Sequence, residues 1–175
     1  MATVEAPNQT DTISVDPILI KAAVDSVNNA LEMCNLSVGC VGLSAVPPST
    51  SGIVTGIIGV HGKGSGFITV NLSERFAIKA VEGLLDEKHG KLNSQIIDGV
   101  GELTNIIVGG VKAAIAGTPW QLSHMTVPSV IVGTGYQMAY ASGMNFLNVS
   151  FEHKDAEAIY LADRIMQVSI SLLPV

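Results

Sequence analysis

The chain has 175 residues, of which 47% are hydrophobic and only 14% charged, and its formal net charge is −6. That length suits one domain with a sizeable core, and the acidic balance with few, dispersed Lys and Arg speaks against nucleic acid or anionic lipid as a partner. No apolar run reaches the roughly 20 residues that cross a bilayer. The opening MATVEAPNQTDTISVD has neither the basic start nor the apolar core of a secretory signal, so the expected address is the cytoplasm.

Residues 1–14 are polar and read as a disordered tail, leaving 15–175 as a single domain. Asp16 has the chemistry of a helix cap and Pro17 suits the first helical position. Ile20, Ala23, Val27, Ala30, Leu31 and Cys34 follow at helical spacing and predict a helix over 17–34. The two cysteines, Cys34 and Cys40, lie in apolar surroundings without metal-ligand spacing and read as reduced packing residues. From Leu36 to Val46 the chain turns β-branched and Gly-rich, and PPSTSG breaks it. IVTGIIGV and GFITVNL, separated by HGKGS, predict a hairpin.

Ser73 is the expected cap of a second helix over 74–86, and a long helix follows over about 92–116. QLSHMTVPSVIVGTG reads as one strand running into a glycine turn, and MNFLNVSFEH as another. IMQVSISLL alternates, with Met166, Val168, Ile170 and Leu172 on one side and Gln167, Ser169 and Ser171 on the other. The link KDAEAIYLADR reads equally as a short helix or an extended hairpin arm. Three helices and about six hairpin-linked strands predict an α+β fold, a mostly antiparallel sheet with long helices packed on one face.

The long helix carries the chemistry. Asp98, Glu102, Asn105, Gly109 and Lys112 recur at steps of four and three and form one stripe. Ile97, Val100, Leu103, Ile107, Val111 and Ala114 are expected on the opposite side, with Ile96, Ile106 and Val108 flanking the stripe. A solvated surface produces such a pattern too, but a solvent face is usually broad, and Gly and Asn are poor choices for one because both disfavour helix interiors. Asn does not titrate, and it both donates and accepts hydrogen bonds, which suits it to holding a water. A carboxylate beside it can pair with a cation on a partner. Phosphoryl hydrolysis needs that combination when metal and phosphate are already in place.

The pattern D-x3-E-x2-N-x3-G-x2-K from Asp98 to Lys112 resembles the signature helix of the CheX/CheC/FliY phosphatases, and PSVIVGTGY over 128–136 resembles the strand after that helix. The resemblance implies a CheC/CheX-like fold and hydrolysis of the aspartyl phosphate of a CheY-like response regulator. It implies Asn105 as the residue that orients the attacking water and Glu102 as the one that engages the regulator's lysine. Asp98, Gly109 and Lys112 would border the docked partner, although Lys112 also reads as a surface lysine near a helix C-terminus, where the dipole favours a cation. The chain itself would bind no cofactor, the Mg2+ belonging to the phosphorylated regulator. CheC-type relatives carry two E-x-x-N helices. In the second helix here Glu74 is followed by Ala77 and Glu82 by Leu85, so one site per chain is expected, as in CheX, together with a homodimer. The EHKDAEAIYLADR link is longer than in the family. A docking module that binds a receiver domain without hydrolysis, and a structural subunit that buries the stripe in an assembly, are the competing readings.

Other signals are weaker. HGKGSG lacks the G-K-[ST] ending of a P-loop and reads as a turn. His61, His89, His124 and His153 are scattered and make no metal motif. No G-x-S-x-G elbow occurs. Trp120, after the long helix, is expected to be a core or interface anchor.

Overall fold

The computed structural model describes residues 16–48 and 53–174. The expected tail, 1–14, and residues 49–52 of the PPSTSG break lie outside the described residues. Among the described residues three helices form, with ends within two residues of expectation; the third begins only after Asn93, which was expected inside it. The first, α1, spans Pro17–Met33, and Asp16 Oδ1 accepts from Ile18 N at 2.8 Å. The second, α2, spans Glu74–Leu85 and is capped by Ser73 Oγ, which accepts from Phe76 N at 3.1 Å. The third, α3, spans Ser94–Ala114, and Asn93 Oδ1 accepts from Ile96 N at 3.0 Å. Each cap satisfies a backbone N–H that the helix leaves unpaired.

Among the described residues seven strands make one sheet: β1 Val38–Ser44, β2 Val54–Gly62, β3 Gly64–Leu72, β4 Leu122–Met125, β5 Ser129–Val132, β6 Asn145–His153 and β7 Ile165–Pro174. Their order is β1-β6-β7-β3-β2-β4, with β5 also on β2, and every pairing is antiparallel. The architecture is therefore α+β, as expected. Ile58, Ile68, Ile170 and Leu147 stand in register across β2, β3, β7 and β6. They are buried in the same core as the inner faces of the three helices. Removing side chains of that size from water contributes about 1.5–3 kcal/mol each.

Three expectations need correction. The stretch 121–135 is two strands. Thr126, Val127 and Pro128 lie opposite only Ile58 and Gly59 of β2, so the ladder takes up an extra residue there. Pro128 has no N–H to give to a ladder, which favours a break at that point. The link over 154–164 is neither a helix nor a hairpin arm but an irregular strap ending in one 3₁₀ turn, Leu161–Arg164. Cys40 is exposed on β1 and does not pack, whereas Cys34 is buried and burial pushes its thiol up to about 11. Beyond these corrections, the second face of β7 is covered as well. Tyr140 stacks on Phe67 at 5.8 Å and meets Phe146 edge-on at 5.0 Å, the Tyr136 hydroxyl lies 2.5 Å from Thr55 Oγ1, and Ser169 and Ser171 are fully buried.

The strap is tied to α2 by charge. Arg75 Nε donates to Asp155 Oδ2 at 2.9 Å, Lys79 Nζ lies 3.2 Å from the same oxygen, and Asp155 is only 5% exposed. Arg75 therefore holds the Asp155 carboxyl well below the usual carboxylate range. Glu82 accepts from the backbone N–H groups of Gly90 and His89, each at 2.7 Å, which holds its carboxyl down at about 2. Both groups ionise at lower pH when folded than in the unfolded chain, where carboxyls titrate near 4. The stability they add is thus complete above the unfolded values and lost as pH falls through the folded ones. Urea midpoints are expected to stay level from about pH 7 to 5 and to drop below about pH 4. Asp155→Asn should lower stability at pH 7 by about 1–3 kcal/mol and flatten part of that acid limb. An unchanged acid limb in the variant's melts would remove Asp155 from this account.

Candidate functional site

The long helix is buried on most of its circumference. Ile96, Gly99, Val100, Leu103, Thr104, Ile107, Val108 and Val111 all face inward. Ile97, expected on that side, is half-buried, and Ala114 is exposed; Ile96 and Val108, expected as flanks, are core. The wall is therefore rotated slightly from the expected one. The glycines explain how the helix sits so deep. A Cβ on Gly99 would meet Val81 Cγ1 of α2 at 2.3 Å, and one on Gly110 would meet Ser26 Oγ of α1 at 2.9 Å. These two glycines let the neighbouring helices approach, and that close packing offsets their cost of about 1 kcal/mol each relative to Ala.

Gly109 is different, because nothing lies within 4 Å of a Cβ built there. It belongs to the outer stripe. Asp98 and Glu102 are exposed, and Asn105, Gly109 and Lys112 are half-buried. At 3.6 residues per turn the five positions span about 80° of arc. Glu102 and Asn105 are an i, i+3 pair, with Cβ atoms roughly 5–6 Å apart. Neither side chain makes a hydrogen bond or ion pair to another described residue. A carboxylate and a carboxamide are thus presented side by side, unengaged, on a helix whose other faces are fixed by packing. Such a pair can accept a cation and orient a water, and a rigid support preserves their spacing.

The stripe has an apolar border that sequence reasoning did not mark as part of the site. A Cβ on Gly101 would lie 3.6 Å from Val130 Cγ2 and 3.8 Å from Pro128 Cγ, and Gly101, Pro128 and Val130 with Ile97, Asp98 and Glu102 line one shallow hollow. Val127, at the break between β4 and β5, is 83% exposed. The signal was present in PSVIV, where a Pro interrupts an apolar run, but a broken edge strand is visible only once register is known. Elsewhere, Trp120 Nε1 donates to Asp16 Oδ2 at 2.7 Å, and the ring packs against the core, as expected of an anchor. Among the described residues no three or more His, Cys, Asp or Glu side chains are grouped as a metal site requires, and no helix is long and apolar enough to cross a membrane.

The fold recurs in solved structures of similar length. A CheC-like superfamily protein from Shewanella sp. PV-4 is 24% identical with a TM-score of 0.75, over 90% of this chain and 99% of that one. The chemotaxis protein CheX from Desulfovibrio desulfuricans is 22% identical with a TM-score of 0.74, over 88% and 98%. A chain of the CheX–CheY–BeF3–Mg2+ complex from Borrelia burgdorferi is 20% identical with a TM-score of 0.68, over 92% and 99%. No curated protein sequence matches. The family model described as chemotaxis phosphatase CheX matches residues 54–152, which take in α2, α3 and most of the sheet, including the whole Asp98–Lys112 stripe and its Pro128–Val130 border. The chain belongs to the CheX family.

Proposed function

We propose that the chain is a phosphatase that hydrolyses the aspartyl phosphate of a CheY-like response regulator. The observation that carries this reading is the pair Glu102 and Asn105, unengaged on the outer stripe of a packed helix in a CheX-family fold. The Borrelia complex, in which a similar fold is crystallised with CheY, supports the choice of partner. In this mechanism the helix docks over the receiver's phosphorylation site. Glu102 pairs with the receiver's lysine and fixes the register. The Asn105 carboxamide holds a water in line with the phosphorus. The water oxygen bonds to phosphorus, the bond from phosphorus to the aspartyl oxygen breaks, the carboxylate is regenerated, and the water's protons leave with inorganic phosphate and solvent. Neutralisation of the phosphoryl charge comes from the receiver's own Mg2+. This chain contributes positioning, which is enough to lower the barrier when the bound geometry is already close to attack.

The test is the decay of phosphate on a panel of purified CheY-like receivers with Mg2+, with and without the chain. Faster decay on at least one receiver is expected. No acceleration on any receiver, with binding still detected, would replace the phosphatase by a docking module. A homodimer and a cytoplasmic location belong to the same proposal. The edge strand β1 has one strand neighbour among the described residues, exposes Val41 and Leu43, and carries no charged side chain to keep other edges away. Light scattering behind size exclusion should give twice the chain mass; a monomer at tens of micromolar would remove that part.

A further inference from the structure

Strand register brings together two histidines that the sequence scatters. On β2, His61 follows the core residue Val60; on β4, His124 precedes Met125, which packs against the core. Successive side chains of a strand point to opposite faces, so both imidazoles stand on the face of the sheet turned away from the helices. There His61 and His124 are direct antiparallel partners, which sets their Cβ atoms roughly 4.5–5.5 Å apart. Both are exposed, and with Ser65 and Thr126 they line one open hollow of about 330 Å³.

One of the two rings is already oriented. Ser65 of β3 stands opposite His61 on its other side, and the Ser65 hydroxyl lies 2.5 Å from His61 Nδ1. The tautomer that donates from Nδ1 to that hydroxyl leaves the lone pair of Nε2, at the far end of the ring, for a metal ion. Such a partner on the second nitrogen fixes which nitrogen ligates and how the ring is held. His124 makes no hydrogen bond to another described residue. It is free to offer Nδ1, the nitrogen nearer its own backbone, and a distal nitrogen from one strand with a proximal one from the next closes a short cross-strand separation on one ion. Imidazole nitrogen suits Zn2+, Cu2+ and Ni2+, whereas Mg2+ takes oxygen ligands. Two imidazoles are fewer ligands than an enclosed centre has, so water completes the coordination.

We propose that His61 and His124 form a surface site for a divalent transition-metal ion of the Zn2+, Cu2+ and Ni2+ class, with Ser65 positioning His61. The inference is independent of the α3 reading. An ion held there ties β4, an edge strand of four residues, to the nine-residue β2. β4 runs on directly through Thr126 into Val127 and Pro128, beside the hollow at α3.

The test is calorimetric titration of the untagged, metal-free full chain with Zn2+ and with Ni2+, in excess Mg2+. The same titration is made on His61→Ala, His124→Ala and Ser65→Ala, with circular dichroism confirming that each folds. The wild type is expected to take one ion per chain. Either histidine variant should bind about 100-fold more weakly or worse, because the second ligand no longer acts from within the same molecule. Ser65→Ala should bind about tenfold more weakly, the low end of what outer partners of a ligating histidine contribute. Zn2+ should raise the thermal midpoint of the wild type and leave those of the histidine variants in place, since an ion bound only by the folded chain stabilises it. No binding by the wild type at tens of micromolar ion overturns the site, and so does binding that survives in either histidine variant. Half an ion per chain places the ion between two copies and overturns the single-chain pair. Unchanged affinity in Ser65→Ala overturns the positioning role of Ser65.

Discussion

Replacing Asn105 by Ala is expected to slow receiver dephosphorylation by about 100-fold or more, because a water misplaced by about 1 Å is enough for a loss of that order. The loss should appear in the rate at saturating chain and not in the affinity, since Glu102 and the Pro128–Val130 border would still hold the receiver. The fold should not suffer. Asn105 is half-buried, makes no hydrogen bond to another described residue, and sits mid-helix. Ala is the better helix former by roughly half a kcal/mol, so the thermal midpoint should stay or rise slightly. A variant that folds and dephosphorylates the receiver at the wild-type rate would sink the water-positioning role. A variant with a collapsed melting curve would show instead that Asn105 is structural. Parallel binding curves distinguish a lost water from a lost dock.

Two residues earlier the expectation reverses. Leu103→Ala should cost about 2–5 kcal/mol of stability, because a fully buried Leu leaves a cavity that its neighbours only partly fill. Leu103 is 0% exposed and belongs to the same core as Val100, Ile107 and Val111 of its own helix. At urea concentrations where it remains folded, the variant should still dock and hydrolyse, since the outer stripe is untouched. An unchanged urea midpoint would mean that α3 presents its faces the other way round. The pair of substitutions therefore separates chemistry from packing on one helix: one position carries activity without stability, the other stability without activity.

The helices were legible because their information is local. Asp16 and Ser73, both expected as caps, accept from backbone N–H groups within three residues, and the apolar period repeats along each helix; the third cap, Asn93, was instead expected inside a helix beginning at about 92. The stripe on α3 was legible for the same reason, since five residues on one helix need no tertiary knowledge to be placed together. The rotation of the buried wall toward Ile96 and Val108 was not, because it depends on α1 and α2 closing over Gly110 and Gly99. The break at Thr126–Pro128 depends on register with β2, and the strap on Arg75 and Lys79, some 80 residues from Asp155 in sequence. The burial of Ser169 and Ser171 needed Tyr136 and Tyr140 to be laid across the second face of the sheet.

The pairing of β1 with a strand far along the chain also bears on how the molecule is made. β1 pairs with β6, so Val38 waits for His153 and Ser44 for Asn148, about a hundred residues further along the chain. At a ribosomal pace of about 5–20 residues per second, that apolar strand stays without its neighbour for roughly 5–20 s. The hairpin of β2 and β3 emerges in the meantime with both of its outer edges open, since one awaits β4 and β5 and the other β7. Nascent chains of this architecture are therefore open to sticking to one another in polysomes, and chaperones that bind extended apolar segments have their window on this protein before β6 leaves the exit tunnel.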